Sequence, residues 1–449
     1  MRDRNIFIHF STITISTLLI ASSLFAGGPL VVNGAGEPLL WSSPVAYTAD
    51  QGTLGSLNNA EAVALVNSLF QVWQDVPTSS ISFTQAGLLS VDVDSSNFES
   101  FIGVSDGISP IIFDADGSLT DAILGEGARS SVLGFAGPED GTFVPPVITE
   151  GFAVLNGLFI DGVSSSGNPE LTIDQFKGVF VHEFGHFCNL DHTQINLDVA
   201  TDGFEDSDDF DTIPTMFPVI FTLTQAEGQQ TLNPDDIAWI SALYPETVNN
   251  APTSVSFTST TGIITGTIFE SDGTTHFQGA NVIARNTSNG RIDAVSNVSG
   301  ARYFPGNEGG PPPANLEGLY ELPGLTDGAS YTVEIEQIDG RFTGGSGVGP
   351  VDPPATLAGP AEFYNGEQES GDSDVDTPTD SVPVTVAAGS PVTDIDIIFN
   401  KKKVCGAARA ATAVRQSSLG FLAYCLALAM PMVMFLVLKF RVRDENTTH

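Results

Sequence analysis

His182-Glu183-Phe184-Gly185-His186-Phe187-Cys188-Asn189-Leu190-Asp191-His192 holds three of the six histidines in a chain of 449 residues. On a helix, side chains four residues apart stand one above the other, so His182 and His186 project from one face and can reach one ion. The run that leads in, Phe176-Lys177-Gly178-Val179-Phe180-Val181, is too apolar for an exposed face and predicts a buried helix. A straight helix would turn His192 away from the ion. The chain must therefore reverse after His186 and return His192 as third ligand. Three neutral nitrogens and one open position predict a catalytic metal centre of the zinc type. Zinc lowers the pKa of a bound water from about 15.7 to about 7, and Glu183 is placed to take the proton.

The stretch resembles the metzincin signature H-E-x-x-H-x-x-G-x-x-H, with Asn189 at the Gly position. Gly serves there because the backbone must turn with φ above zero, and Asn tolerates that region next best. Asn189 is thus expected to be left-handed, and Asn189→Gly to be neutral or mildly stabilising. Pro214-Thr215-Met216-Phe217-Pro218 resembles the Met-turn, with Met216 as an apolar floor beneath the metal. Residues 232–245 resemble the closing helix of the matrixin branch, with Asn233 as cap, Pro234 at the first position, and Asp235 and Asp236 at the positive end.

The resemblance extends back to Trp41. Strands are expected at 45–48, 81–85, 110–114 and 151–156. A helix from 58 to 73 presents Ala62, Leu65, Val66, Leu69, Phe70 and Trp73 on one side. Residues 131–138 resemble the edge strand that pairs with substrate. The resemblance implies an α+β zinc-protease domain, with a twisted mixed sheet, an active-site helix and a cleft. Glu183 is then general base and acid, and Leu133, Gly134, Phe135, Val219 and Ile220 are substrate contacts. No histidine lies between His9 and His182, so the second, structural zinc of vertebrate matrixins lacks imidazole ligands here. No cysteine precedes Cys188, which excludes a thiolate latch upstream; Cys188 itself reads as a small buried residue.

The net charge is −38, and ten of the 16 Lys and Arg lie in the two ends, leaving six among 51 acids between them. Such a body does not bind nucleic acid or anionic lipid. It suits salt, cationic substrates or calcium. Oxygen-rich loops fit calcium, which makes Asp114, Asp116 and Asp121, and Asp206 and Asp208 in the run after His192, candidate calcium ligands.

Residues 1–26 have an early basic end, an apolar stretch and a small residue at Ala26, the pattern of a secretory signal peptide. The reading places the protease domain at 27–247 and a polar linker at 248–258. Short strands with Gly and Asp turns follow at 259–400. The order G-x-I, G-A-x-V, G-x-Y-x-L-x-G-L, Y-x-V-x-I resembles the carboxypeptidase regulatory-like, transthyretin-like β-sandwich. A basic connector occupies 401–418. Residues 419–438 carry no charge and are long enough to span a bilayer, with a basic cytoplasmic stub at 439–449. The other reading of this tail is a sorting signal processed near Cys405.

Together these features predict an exported, monomeric zinc endopeptidase at the cell surface, anchored by a C-terminal membrane helix and acting on protein or peptide substrates. The rival expectation is a surface binding or adhesion protein that uses the sandwich.

Overall fold

The computed structural model of the chain describes residues 27–164, 170–201, 210–221, 228–250, 253–303, 313–342, 353–401 and 425–427. The first body is built on a six-stranded sheet. Its strands are β1 (Leu40–Trp41), β2 (Val45–Ala49), β3 (Phe83–Leu88), β4 (Pro110–Asp114), β5 (Gly134–Phe143) and β6 (Pro146–Asn156). The order is β3-β2-β4-β6-β5, and β1 pairs with the start of β6 where β4 pairs with its end. All pairings are parallel except that of β5, which runs antiparallel to β6. Among the described residues, β6 is the only strand that β5 pairs with, so β5 is an edge.

Helices α1 (Asn59–Gln74) and α3 (Ile173–Phe187) cover one face of this sheet, while α2 (Ser118–Leu124) lies against the other, whose core is Leu89, Ile112, Phe135, Phe152 and Val154. Capping boxes start both long helices: Asn58 with Glu61, and Thr172 with Gln175. Phe176, Phe180 and Phe184 recur every fourth residue and are fully buried, and Phe184 stacks on Phe70 of α1 at 3.7 Å. The Trp73 indole donates to the Val181 carbonyl at 2.9 Å, which fixes α3 against α1 near His182.

A second body has two facing sheets. One contains β10 (Ala294–Val298), β9 (Asn281–Asn286), β12 (Ser330–Glu336) and β13 (Glu362–Phe363), with β14 (Val384–Thr385) also on β12. The other is β11 (Leu319–Thr326), β8 (Thr261–Phe269) and β15 (Ile397–Ile398). Alternation along β8, β11 and β12 buries Ile264, Ile268, Tyr320, Leu322, Tyr331, Val333 and Ile335 in a shared core. Helix α4 (Pro234–Leu243) joins the bodies, since Ile240 and Leu243 belong to the first core and Ala238 to the second.

Two expectations need correction. The described chain is mixed α/β rather than α+β, because its first sheet is mainly parallel. The expected membrane helix is also overturned: among the described residues no helix is long and apolar enough to cross a membrane. Inside 419–438, Cys425–Ala427 is instead a strand, β16, antiparallel to β7 (Val219–Phe221). Apolarity alone does not separate a spanning helix from a paired strand. The remainder of 419–438, residues 1–26 and Cys405 lie outside the described residues.

Candidate metal centre

Helix α3 ends because Asn189 adopts φ 70°. Leu190 N then donates to Gly185 O and Asn189 N to His186 O, both at 2.9 Å, which is the αL stop expected of this position. The last carbonyls of the helix are also satisfied: the Trp41 indole donates to Phe187 O at 2.7 Å and the Tyr244 hydroxyl to Cys188 O at 2.9 Å. The reversal aims Leu190 O at His186 and brings His192 back two residues later.

All three imidazoles are buried. His192 Nε2 lies 3.2 Å from His182 Nε2 and 3.0 Å from His186 Nε2. The opposite ring nitrogens face carbonyls: His182 Nδ1 is 2.7 Å from Thr215 O, and His186 Nδ1 is 2.8 Å from Leu190 O. A carbonyl only accepts, so both Nδ1 atoms carry the proton and both Nε2 atoms present lone pairs. Burial keeps the rings neutral, holding His182 well below its usual range and His186 at about 4. Both lone pairs converge on His192 Nε2, an arrangement that a cation among the three nitrogens would satisfy. Nitrogens bound at about 2.1 Å on a tetrahedral ion stand roughly 3.4 Å apart, close to the spacing seen here. The three histidines could hold a metal ion. They are the one such cluster of His, Cys, Asp or Glu among the described residues.

Met216 lies beneath. A Cβ on Gly185 would come within 2.2 Å of Met216 Sδ, so this helix position has room only for Gly. The turn that carries Met216 is held by Asp236, whose carboxylate accepts from Thr215 N at 2.9 Å and Met216 N at 3.0 Å. A path of bonds therefore leads from Asp236 through Thr215 to the His182 ring, the kind of outer contact that sets ligand orientation. Burial raises the Asp236 carboxyl to about 6. The sequence reading gave Asp236 only a place at a helix end. Its spacing of three from Asn233, whose amide it also binds at 2.8 Å, was the signal for more.

Glu183 is buried beside the histidines, and its Oε2 has no hydrogen-bond partner among the described residues. Desolvation lifts its carboxyl well above the usual range. It lies against the edge strand: a Cβ on Gly134 would meet Glu183 Cγ at 2.9 Å and Oε1 at 3.2 Å. Leu133 and Phe135 flank Gly134, but their side chains fill the cores on opposite faces of the sheet. Val219 and Ile220 are likewise buried in cores. Gly134 is buried as well, so all five expected contacts are buried.

The described calcium candidates make hydrogen bonds within the protein. Asp114 accepts from Leu119 N, Thr120 N and Thr120 Oγ1, and Asp116 from Ser118 N. Asp121 pairs with Arg129 at 2.5 Å. These carboxylates shape the turn into α2 and the loop after it. Asp206 and Asp208 lie outside the described residues.

Asn189 departs from expectation in one respect. Its side chain accepts from Val31 N at 2.7 Å and donates to Val31 O at 3.0 Å and Leu39 O at 2.7 Å. Gly would keep the turn and lose three hydrogen bonds, so the expected neutrality of Asn189→Gly is corrected to a loss. A scan against models of protein families finds no match for this chain, and a search of curated proteins finds no significant relative.

Proposed function

We propose that the chain is a zinc-dependent endopeptidase. The observation that carries the reading is the convergence of three buried imidazoles beside Glu183, a buried carboxyl whose Oε2 has no hydrogen-bond partner among the described residues. His182, His186 and His192 would hold the ion, which when bound would acidify a water and polarise a carbonyl. An extended peptide would have to lie beside β5, the strand that packs against Glu183, to bring a scissile bond to the ion. Glu183 would take a proton at its carboxylate and deliver it to the leaving amine. Desolvation raises the affinity of this carboxylate for a proton, which suits a group that must accept one.

The test uses the purified chain. Elemental analysis should find about one zinc per chain. Cleavage of a peptide library should stop with a chelator and return with added zinc. A chain that takes up no zinc after reconstitution, or a zinc-loaded chain that cleaves no peptide in the library, contradicts the reading.

A further inference from the structure

The four residues after His192 are all buried, and each engages the two-sheet body. Thr193 Oγ1 lies 2.8 Å from Ser296 Oγ on β10. Gln194 closes a two-way amide contact with the turn after β12: its Nε2 donates to Asp339 O at 3.0 Å and Phe342 O at 2.7 Å, and its Oε1 accepts from Asp339 N at 2.9 Å. Ile195 packs with Ile283 and Ala294. Asn196, at φ 59°, donates to Thr212 O and Arg291 O, both at 2.9 Å, and accepts from Arg285 Nη1 at 2.7 Å. Arg285 is itself aimed by Glu334 and Glu336 on the neighbouring strand β12. Beside Ser296, Gly27 N donates to His192 O at 2.6 Å, and Asn297 Nδ2 donates to Gly27 O.

We propose that the two-sheet body is a positioning element of the metal centre. Gln194, Asn196, Arg285 and Ser296 fix the loop that carries His192 and so set the affinity for the ion. The proposal rests on the metal reading above, but not on proteolysis. His182 and His186 are spaced by one turn of a packed helix and need no such help. His192 stands on irregular backbone, where a shift of a few tenths of an ångström opens the third bond. Removing an outer contact of this kind lowers metal affinity about 10- to 100-fold.

The experiment measures zinc affinity of the full chain by competition with a chromogenic chelator, and the visible spectrum of the cobalt(II) form. Arg285→Met, Gln194→Leu and Asn196→Gly, the last keeping the left-handed backbone, should each weaken zinc about 10- to 100-fold. Each should also shift the cobalt bands toward lower ligand field. Adding any of them to His192→Ala should weaken zinc little further, since both changes act on the same ligand. Ile397→Ala, in the sheet away from the loop, should lower Tm and leave zinc affinity unchanged. Wild-type affinity in the three loop variants overturns the proposal. So does an Ile397→Ala chain that loses zinc affinity as much as they do, because the effect is then stability and not position. A wild-type chain that binds neither metal overturns the metal reading itself, whereas one that binds zinc without cleaving peptides leaves every comparison readable.

Discussion

Helix α3 and the loop that follows it each supply the histidine cluster, and they are built in opposite ways. The helix brings two ligands by local means: a capping box at its start, apolar side chains every fourth residue, and one left-handed residue at its end. The loop brings one ligand, and nearly every contact that fixes it comes from far along the chain, including residues 27, 216, 285, 296 and 339. Local construction tolerates change elsewhere. Non-local construction makes the third ligand the place where remote substitutions should be felt.

The largest expected effect sits on the helix. Glu183→Ala should keep zinc, because Glu183 is not a ligand, and lower peptide cleavage by at least roughly 10²- to 10⁴-fold. Metal content and kcat/KM measured together check this, and a variant that cleaves at the wild-type rate removes Glu183 from the chemistry. Next in size is Phe184→Ala, which empties the fully buried stack against Phe70 and should cost about 3–5 kcal/mol in denaturant unfolding. A loss under about 1 kcal/mol would mean that the helix is held by something other than its aromatic face.

At the junction of the two regions, Asn189→Gly should destabilise by about 1–3 kcal/mol through its three lost bonds. Asn189→Val loses the same bonds and also strains a positive φ, so it should be worse and should weaken zinc as well. Equal stability of the Gly variant and the wild type, in the same denaturation series, would show that the amide contributes nothing.

The smallest effect concerns the body on which the loop leans. Burial, and then the neighbouring Asp376, raise the Glu362 carboxyl from 4.5 to about 7 and the Glu369 carboxyl from 4.5 to about 8. Between 4.5 and these values the folded chain keeps protons that the unfolded chain has released. This contribution to stability is therefore whole below about pH 4.5 and is lost as pH rises toward 8. Tm should fall by roughly a few degrees from pH 5 to pH 8, and Glu362→Gln should flatten the slope. A Tm that rises over this range contradicts the assignment.

The contrast also explains what the sequence disclosed. The helix, its two histidines and the left-handed Asn189 were legible because spacing and turn chemistry are written within a dozen residues. The closing helix was legible for the same reason, from Asn233, Pro234 and the acids behind them. Strand β10 went unread: Ala294-Val295-Ser296-Asn297-Val298 mixes polar and apolar residues, and all five are buried, Ser296 against the loop and helix α4, Asn297 against Gly27 and Glu321. Thr193, Gln194 and Asn196 look like ordinary loop residues until their partners are known, and their partners in the two-sheet body lie 89 or more residues away. The membrane helix was misread for the converse reason, because an uncharged run records apolarity and not the hydrogen-bond pattern of its backbone.

Because Gln194 reaches carbonyls 145 and 148 residues ahead of it, the third-histidine loop cannot acquire its last contacts while the chain is only partly synthesised. When His192 leaves the ribosome, the strands and the turn that will hold it have yet to be translated. The helix can fold with its two histidines during elongation, but a three-ligand centre has to wait for Phe342. Order of synthesis thus acts as a timer on the site: a nascent chain carries an incomplete histidine cluster, and only a polypeptide extended past Phe342 can make its last contacts.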